Sequence, residues 1–301
     1  MTLWIGALAL GLLRALEDAG FKEGQNIKYD LQNGQGDIPS LTQIAQRYRD
    51  QNVDLIVAIS TPALQAAMAV TKDAGKPPVV FDSVTDPTAA GKDLIKSSTD
   101  KPANVTGIQA LPPVKDAMQL ALKVVPSAKR IGIIWTPAEA NSAVATGLAR
   151  DAAKDLNVEL VEQTVTRSDE VLQAAQGLLS KNIDLYFVST DSTVVAGLEA
   201  LVQVANDNKK PLFGNDPASA TRGAVAALGI DYYDQGYDSG VMAARILKGE
   251  NPKDIPIAQS KKSFLAVNLE AARLQGVTLP EDVLKDAAQK LDNIAPAKPK
   301  A

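Results

Sequence analysis

The chain has 301 residues, of which 46% are hydrophobic and 22% charged, a composition typical of a globular protein long enough for two domains. Its formal net charge is −4 and it contains no long basic run, which disfavours nucleic acid as a partner. The sequence contains no cysteine and no histidine, which excludes disulfides, thiol chemistry, the common zinc sites and catalytic triads that depend on histidine.

The chain opens with an apolar stretch over residues 1–13 that is too short to span a bilayer. It resembles the hydrophobic part of a secretory signal peptide, but no lysine or arginine precedes it. Because it continues without a break into RALEDAGF, we expect a buried helix that runs to about Ala19 and ends at Gly20.

From residue 53 onward, short apolar segments alternate with segments of helical periodicity. The predicted strands are VDLIVAIS, VVFDSV, KRIGIIW, VELVEQTV, LYFVS, PLFGN, GAVAALGID and KKSFLAVN. Strands that alternate with helices form parallel sheets covered on both faces. The sequence therefore predicts an α/β fold of two similar lobes with a cleft between them, and a flexible tail over residues 293–301.

Small polar or acidic residues follow five of the predicted strands, each just before a helix or in the loop that leads to one. These residues are Ser60 and Thr61, Thr85 and Asp86, Asn141 and Ser142, Thr190, Asp191 and Ser192, and Asn215 and Asp216. Such residues are the preferred helix N-caps, so capping explains each group taken alone. In open α/β sheets, however, ligands bind outside the carboxyl ends of the strands, and groups from both halves of the chain would face one cleft.

The chemistry of these groups suits a zwitterion. Helix N-termini and hydroxyl groups favour a carboxylate, and a carboxylate such as Asp191 favours an ammonium group. A carbohydrate site would call for stacking aromatic residues, but only 4% of the residues are aromatic. Trp135, at a strand end, is either a core residue or the lining of a side-chain pocket.

Signals for catalysis are weak. The loop from Asn33 to Asp37 does not join a strand directly to a helix, so it is a poor phosphate cradle. Asp82 and Asp86 lie near a strand end and would suit a phospho-acceptor or Mg²⁺ site, but no lysine occurs in a matching loop. We therefore expect no enzymatic activity, no metal and no cofactor.

Several motifs together resemble the ABC-transporter substrate-binding proteins of the tryptophan/tyrosine-binding type. They are VDLIVAISTPALQAA, VVFDSVTDPTAAG, NVTGIQ, EANS, STDST, GIDYYDQGYDSG and VNLEAARLQGVTLPEDVLKDA. The resemblance covers residues 12–292. Single fragments of these motifs are unspecific, but their combination along nearly the whole chain is specific.

The resemblance implies a type I periplasmic-binding-protein fold, in which two Rossmann-like lobes joined by three crossovers close on a ligand by a hinge. Lobe 1 would comprise residues 1–107 and 232–262, and lobe 2 residues 108–231 and 263–292. Such proteins deliver a ligand, often an aromatic or other apolar amino acid, to a membrane permease powered by a separate ATPase. The expected place of work is the periplasm or the extracellular face of the membrane, and the expected state is a monomer.

The resemblance also places the candidate residues. Ser60, Thr61, Thr85 and Asp86 would lie on the first lobe, and Asn141, Ser142, Asp191, Asn215 and Asp216 on the second. Asp191 is the expected partner of a ligand ammonium group, and Ser60, Thr61, Thr85 and Ser142 are expected to bind its carboxylate.

The N-terminus departs from the family. Members have a first strand and a polar loop before the helix that matches Gly11–Gly20, whereas here residues 1–10 stand in their place. The first strand of lobe 1 is therefore missing or replaced. A mis-assigned start, a truncated chain, or a rearrangement in which LWIGALAL supplies the strand would each account for this, and each would affect the ligand wall more than the fold.

Two other functions stay open at this point. A binder of another small solute, such as a sugar, purine or nucleoside, is possible on the same fold because the fold does not fix the ligand. A ligand-sensing domain is also possible, but it would call for an attached DNA-binding or signalling module, and the sequence shows none.

Overall fold

The computed structural model describes residues 3–34, 37–72, 75–260 and 262–295. The helices are α1 (Leu3–Asp18), α2 (Ile38–Asp50), α3 (Thr61–Thr71), α4 (Pro87–Gly91), α5 (Val114–Val124), α6 (Ala140–Asp155), α7 (Val171–Ser180), α8 (Ser192–Ala196), α9 (Leu198–Asp207), α10 (Ala218–Thr221), α11 (Tyr232–Leu247), α12 (Leu269–Leu274) and α13 (Glu281–Asp286). The strands are β1 (Ile56–Ile59), β2 (Val79–Val84), β3 (Val105–Gln109), β4 (Arg130–Trp135), β5 (Glu159–Thr164), β6 (Leu185–Val188), β7 (Leu212–Gly214), β8 (Ala226–Ile230), β9 (Ala258–Gln259), β10 (Ser263–Asn268) and β11 (Gln289–Leu291).

The chain divides into two compact units. Unit 1 holds the residues up to Leu111 together with Asp231–Lys262, and unit 2 holds Pro112–Ile230 together with the residues from Ser263 onward. The chain therefore crosses from one unit to the other three times.

Unit 1 is built on a parallel sheet of order β1-β2-β3-β9. Its central strand β2 carries Val79, Val80 and Phe81, all with 0% exposure, which is typical of a strand covered on both faces. Helices α1 and α11 pack against each other at very short range, because Gly236 faces the backbone of Leu8. A Cβ atom at Gly236 would lie 2.0 Å from the carbonyl oxygen of Leu8.

The N-terminal departure expected from the sequence is a helix in the structure. Residues Leu3–Asp18 form α1, so the alternative in which LWIGALAL supplies a strand is wrong. Among the described residues, β1 is the edge strand of its sheet, with β2 as its neighbour. The run is rich in leucine and alanine, which favour helix despite Gly6 and Gly11, and its apolar side chains Leu12 and Leu16 pack into the core of unit 1.

Unit 2 is built on a sheet of order β11-β10-β8-β7-β6-β4-β5. Its strands are parallel except where β10 pairs antiparallel with β8. All four residues of β6 are buried, and β6 lies between β4 and β7. Because these three strands are parallel, their carboxyl ends lie at the same edge of the sheet, which brings the loops after Trp135, Val188 and Gly214 together.

The last described residues of the chain are hydrogen-bonded to unit 2. The backbone amide of Ile294 donates to Glu270, at 2.7 Å, and that of Ala295 donates to the carbonyl of Thr221, at 2.8 Å. Residues 296–301 of the predicted tail lie outside the described residues, and a flexible tail over residues 293–301 stays a prediction. Across the described part of the chain, no helix combines the length and the apolar character needed to cross a membrane.

Candidate functional site

The carboxylate of Asp191 is the centre of a buried hydrogen-bond network in unit 2. Asp191 follows β6 and is 1% exposed. Its Oδ1 accepts from the Val194 amide (2.8 Å) and the Thr136 hydroxyl (3.1 Å), and its Oδ2 accepts from the Thr136 amide (2.7 Å) and the Ser142 hydroxyl (2.6 Å). The Asp191 side chain thus caps α8 and ties it to the loop after β4.

This network leaves Asp191 little capacity for a ligand. Four donors already occupy its two oxygens, which is about the full acceptor capacity of a carboxylate. Burial raises the pKa of Asp191, and the nearby negative charge of Glu139 raises it further, against the donors that lower it. That Asp191 binds an ammonium group directly stays a prediction, and the geometry gives the side chain a positioning role as well.

A second carboxylate at the start of α8 comes from Glu139, which lies in the loop before α6. This role was not predicted from the sequence. Oε1 of Glu139 accepts from the amide and hydroxyl of Thr193, at 2.9 and 2.6 Å. Its Oε2 accepts from the Ser192 amide, at 2.9 Å, and from Nδ2 of Asn141, at 3.1 Å. An acidic residue next to the first turn of a helix is favoured by the helix dipole, but only the fold shows that the helix it serves is α8, some 50 residues further along the chain.

The side chain of Asn141 is fixed through its amide nitrogen, while its carbonyl oxygen has no partner among the described residues. Its Nδ2 donates to Glu139 and, at 2.8 Å, to the carbonyl of Thr190. Its Oδ1 is buried and has no hydrogen-bond partner among the described residues. The predicted pair of Asn141 and Ser142 therefore divides into a residue with an unused acceptor and one committed to Asp191.

Asn215 carries the clearest sign of a binding site in unit 2. It follows β7, next to the end of β6, and its amide donates to the carbonyl of Val188 at 3.2 Å. The residue is 1% exposed, and neither Oδ1 nor Nδ2 of its side chain has a partner among the described residues. A buried polar group without a partner costs about 1–3 kcal/mol, so such groups call for an explanation.

Other unpartnered hydroxyl groups accompany Asn215 at this edge of the sheet. Ser189 and Thr190 follow β6, and Ser219 lies in the short helix after β7. Their hydroxyl oxygens are buried and without a partner among the described residues. The sequence places Ser189 and Thr190 at the end of the same apolar run, and Ser219 shortly after Asn215 and Asp216.

The remaining two candidates of unit 2 are Asp216 and Trp135. Oδ1 of Asp216 accepts from the Ala218 amide, at 3.2 Å, next to the short helix α10. Trp135 ends β4 with its ring 5.1 Å from the guanidinium of Arg150, and Arg150 in turn pairs with Glu162. Trp135 is only partly buried, so its side chain does not lie wholly within the hydrophobic core.

Ser60 has the most unusual backbone of the unit 1 candidates. It joins β1 to α3 with φ of 102° and ψ of 158°, a region that is almost confined to glycine and costs about 1–3 kcal/mol for other residues. Its hydroxyl accepts from the Ala63 amide at 3.4 Å, a weak cap. The turn between β1 and α3 therefore carries backbone strain at Ser60.

Thr61 completes this strand-to-helix turn. It is the first residue of α3 and is 2% exposed, and its hydroxyl oxygen has no partner among the described residues. Helix α3 has 11 residues, and the amide groups of its first turn offer a partial positive charge. The turn thus combines a hydroxyl without a partner and a helix N-terminus.

Thr85 and Asp86 come at the end of β2. Thr85 is 3% exposed, and its carbonyl accepts from Gln109, at 3.1 Å. Oδ1 of Asp86 accepts from the amide and hydroxyl of Thr88 and from the Ala89 amide, so Asp86 is a cap of α4. Within the described ranges, no group of three or more acidic residues is placed to hold a metal ion.

Comparison with known proteins identifies the class that this fold and these strand ends belong to. Residues 6–291 match the family model described as ABC transporter substrate binding protein. The tyrosine-binding protein of Clostridioides difficile is 39% identical over 258 residues, which are 86% of this chain and 73% of that protein.

Two solved structures are similar over almost the whole chain. A conserved domain protein from Vibrio cholerae matches with a TM-score of 0.88 and 34% identity, covering 96% of each chain. An ABC domain from Streptococcus pneumonia in complex with L-Trp matches with a TM-score of 0.87 and 29% identity, covering 97% of this chain and 96% of that one.

The chain therefore belongs to the family of ABC transporter substrate-binding proteins. This confirms the resemblance found in the sequence and the expected fold class. Members of the family bind a substrate and hand it to a membrane permease without transforming it, so the protein is not an enzyme. The protein acts on the outer side of the membrane that contains the permease.

Proposed function

We propose that the protein binds an amino acid with an aromatic or other apolar side chain, for import by an ABC permease. The names of two relatives support this ligand class, because one is described as tyrosine-binding and another was solved with L-Trp. The arrangement of unpartnered polar groups supports it independently.

The observation that carries the proposal is the buried side chain of Asn215. Its carboxamide offers one acceptor and two donors, all unused within the described residues. An α-amino acid brings an ammonium group that donates and a carboxylate that accepts, so one ligand would satisfy both ends of the carboxamide. The unpartnered Oδ1 of Asn141 supplies a second acceptor for the ammonium group.

In unit 1, taken by itself, the groups best suited to the carboxylate of an amino acid are the hydroxyl groups of Ser60 and Thr61 and the N-terminus of α3. A helix N-terminus attracts an anion, and the unpartnered hydroxyl of Thr61 would gain a hydrogen bond. Thr85 follows the neighbouring strand β2 and is a further candidate on the same edge of the sheet.

Asp191 acts in this scheme mainly through the residues that it holds. Its four hydrogen bonds fix Thr136, Ser142 and the start of α8, and Glu139 fixes Asn141. We therefore assign the direct contacts with the ammonium group to Asn215 and Asn141, and a supporting electrostatic contribution to Asp191.

The test is thermal unfolding and calorimetry with ligands that differ by one functional group. We expect stabilisation by L-tryptophan, L-tyrosine or another apolar amino acid. We expect much less stabilisation by indole-3-propionate, which lacks the ammonium group, and by tryptamine, which lacks the carboxylate. A ligand at 100 times its Kd stabilises the native state by about 2.7 kcal/mol. A shift with adenosine or a sugar, but with no amino acid, would contradict the proposal.

Variants separate the role of Asn215 from the identity of the ligand. Asn215→Ala should bind the best amino acid about tenfold or more weakly, since one buried hydrogen bond to a charged group is worth about 1.5–3 kcal/mol. Asn208→Ala is the matched control, because Asn208 is exposed at the end of α9. If both variants bind as wild type does, Asn215 has no contact with the ligand.

A further inference from the structure

Asp82 and Gln235 are two buried polar side chains of unit 1 that ligand binding as proposed above does not use. Asp82 lies in β2 and is 0% exposed, and Gln235 lies in α11 and is 1% exposed. Nε2 of Gln235 donates to Oδ1 of Asp82. Helix α11 thus brings its amide group directly onto the carboxyl group of the strand it covers.

The same two side chains each carry one unused acceptor. Oδ2 of Asp82 and Oε1 of Gln235 are buried, and neither has a partner among the described residues. The nearby hydroxyl of Ser239 directs its hydrogen to the carbonyl of Gly236, at 3.0 Å. With an ionised carboxylate, two acceptors would therefore be left without a donor, and a negative charge would be buried without a cation.

A single proton on Asp82 would satisfy both unpartnered acceptors and remove the buried negative charge. A proton on Oδ2 of Asp82 can be donated to Oε1 of Gln235, while Nε2 of Gln235 donates to Oδ1. The carboxylic acid and the carboxamide then form a cyclic pair with two hydrogen bonds, and no buried charge remains.

The charged surroundings favour the neutral form. Burial raises the pKa of Asp82 to about 7, against the polar groups of Ser239, Ser83 and Gln235, which lower it, and the negative charge of Asp238 on α11 adds a smaller rise. Asp238 is exposed, and its pKa is nevertheless raised by partial desolvation and by the negative charge of Asp234. Helix α3, which also packs on β2, carries no charged residue.

The pair is directly connected to the strained loop of unit 1. The amide of Ser60 donates to the backbone carbonyl of Asp82, at 2.9 Å. Any movement of Asp82 toward solvent on ionisation would therefore move the hydrogen-bond acceptor of Ser60. We propose that Asp82 and Gln235 form a carboxylic acid–carboxamide pair that shares one proton and makes the conformation of the Ser60 loop sensitive to pH.

The sign of the effect on stability follows from linkage. The pKa of Asp82 is higher in the folded chain than the ordinary value of 3.8, so the native state binds the proton more tightly than the unfolded state does. The stabilisation is fully present below about pH 4, declines as the pH rises toward 7, and is lost above the folded pKa. This proposal does not depend on which ligand the protein binds.

Asp82→Asn is the decisive variant. The asparagine amide can donate permanently to Gln235, so it imitates the protonated acid without a titratable group. We expect the melting temperature of Asp82→Asn to rise relative to wild type between about pH 4 and 7, and the difference to level off at higher pH. A difference that does not change with pH would overturn the proposal.

Asp238→Asn is the matched control, because it removes a neighbouring carboxylate and leaves the pair intact. It should keep a decline of stability with pH but shift its end to lower pH. If it instead abolishes the decline as Asp82→Asn does, the titrating group is Asp238 and the proposal fails.

A measurement on wild type keeps the proposal testable if Asp82→Asn does not fold. In protein labelled with ¹³C-aspartate, we expect one carboxyl resonance to titrate near pH 7 and to do so at lower pH in Asp238→Asn. The amide resonances of Ser60 and Thr61 should follow with the same midpoint. The absence of an aspartate that titrates above pH 6, or a titration that these amides do not follow, would overturn it.

Discussion

Replacing Asp191 by asparagine should destabilise unit 2 almost as much as replacing it by alanine. The reason is the pattern of donors around the carboxylate. Each oxygen faces one backbone amide, that of Val194 at Oδ1 and that of Thr136 at Oδ2. Hydroxyl groups can rotate to accept a hydrogen bond, but a backbone N–H cannot, so the asparagine NH₂ would face an N–H in either orientation.

The magnitude follows from the bonds that are lost. Breaking one hydrogen bond to a buried charged group costs about 1.5–3 kcal/mol, and removing one partner of a buried charged network costs about 3–5 kcal/mol. We therefore expect Asp191→Asn to lose about 3 kcal/mol of the free energy of unfolding. For a chain of 301 residues, with an unfolding entropy of about 2.1 cal/mol/K per residue, that corresponds to a fall of the melting temperature by roughly 5 °C.

Calorimetric or circular-dichroism melting at pH 7 measures this loss, and Asp86→Asn provides the control. Asp86 accepts its hydrogen bonds from Thr88 and Ala89 through Oδ1 alone. An asparagine can reproduce that arrangement, so its melting temperature should stay within about 2 °C of wild type, as for a substitution that costs less than about 0.5 kcal/mol. If Asp191→Asn is as stable as wild type but binds the amino acid much more weakly, Asp191 is a direct ligand of the ammonium group and the capping argument is wrong.

Two further predictions concern the backbone of unit 1. Ser60→Gly should relieve the backbone strain, so its melting temperature should match or exceed that of wild type while its affinity for the ligand falls. Ser60→Ala keeps the strain and loses the hydroxyl, so both its melting temperature and its affinity should fall. Equal melting temperatures of the two variants would argue against strain. Gly236→Ala should destabilise by about 2 kcal/mol or more, because its Cβ would meet the carbonyl of Leu8 at 2.0 Å. Gly147→Ala in α6 has open space around its Cβ and should gain about 0.5–1 kcal/mol in the same melting experiment; a similar loss in both variants would refute the close-approach argument.

Much of the regular part of the fold could be predicted from the sequence, although β3, β9 and β11 are not among the predicted strands. The run Leu185–Val188 is apolar and β-branched or aromatic, ends in polar residues and is followed by a helical pattern, and it forms the buried strand β6. Such local patterns define α/β units because each strand must be covered on both faces. The position of the polar residues at the strand ends followed from the same pattern.

The roles of those polar residues could not be predicted in the same way. Asp191, Asp86 and Asn215 all follow a buried strand, yet the first two accept hydrogen bonds from their surroundings and the third has an unpartnered side chain. The difference depends on which donors from distant segments reach each side chain. Glu139 was missed for the same reason, since the helix that it caps lies some 50 residues further along the chain.

The sequence by itself therefore determined the alternation of strands and helices, the edge of each sheet where polar groups gather, and the family. The alternation and the sheet edges rest on periodicity and on residue preferences that act over a few residues, whereas the family rests on the motifs that resemble it. Only the tertiary structure decided that Asp191 is saturated, that Asn215 is not, and that Asp82 meets Gln235 across 153 positions of sequence. Hydrogen bonding in a buried site depends on the complete set of neighbours, and that set is assembled only when the chain folds.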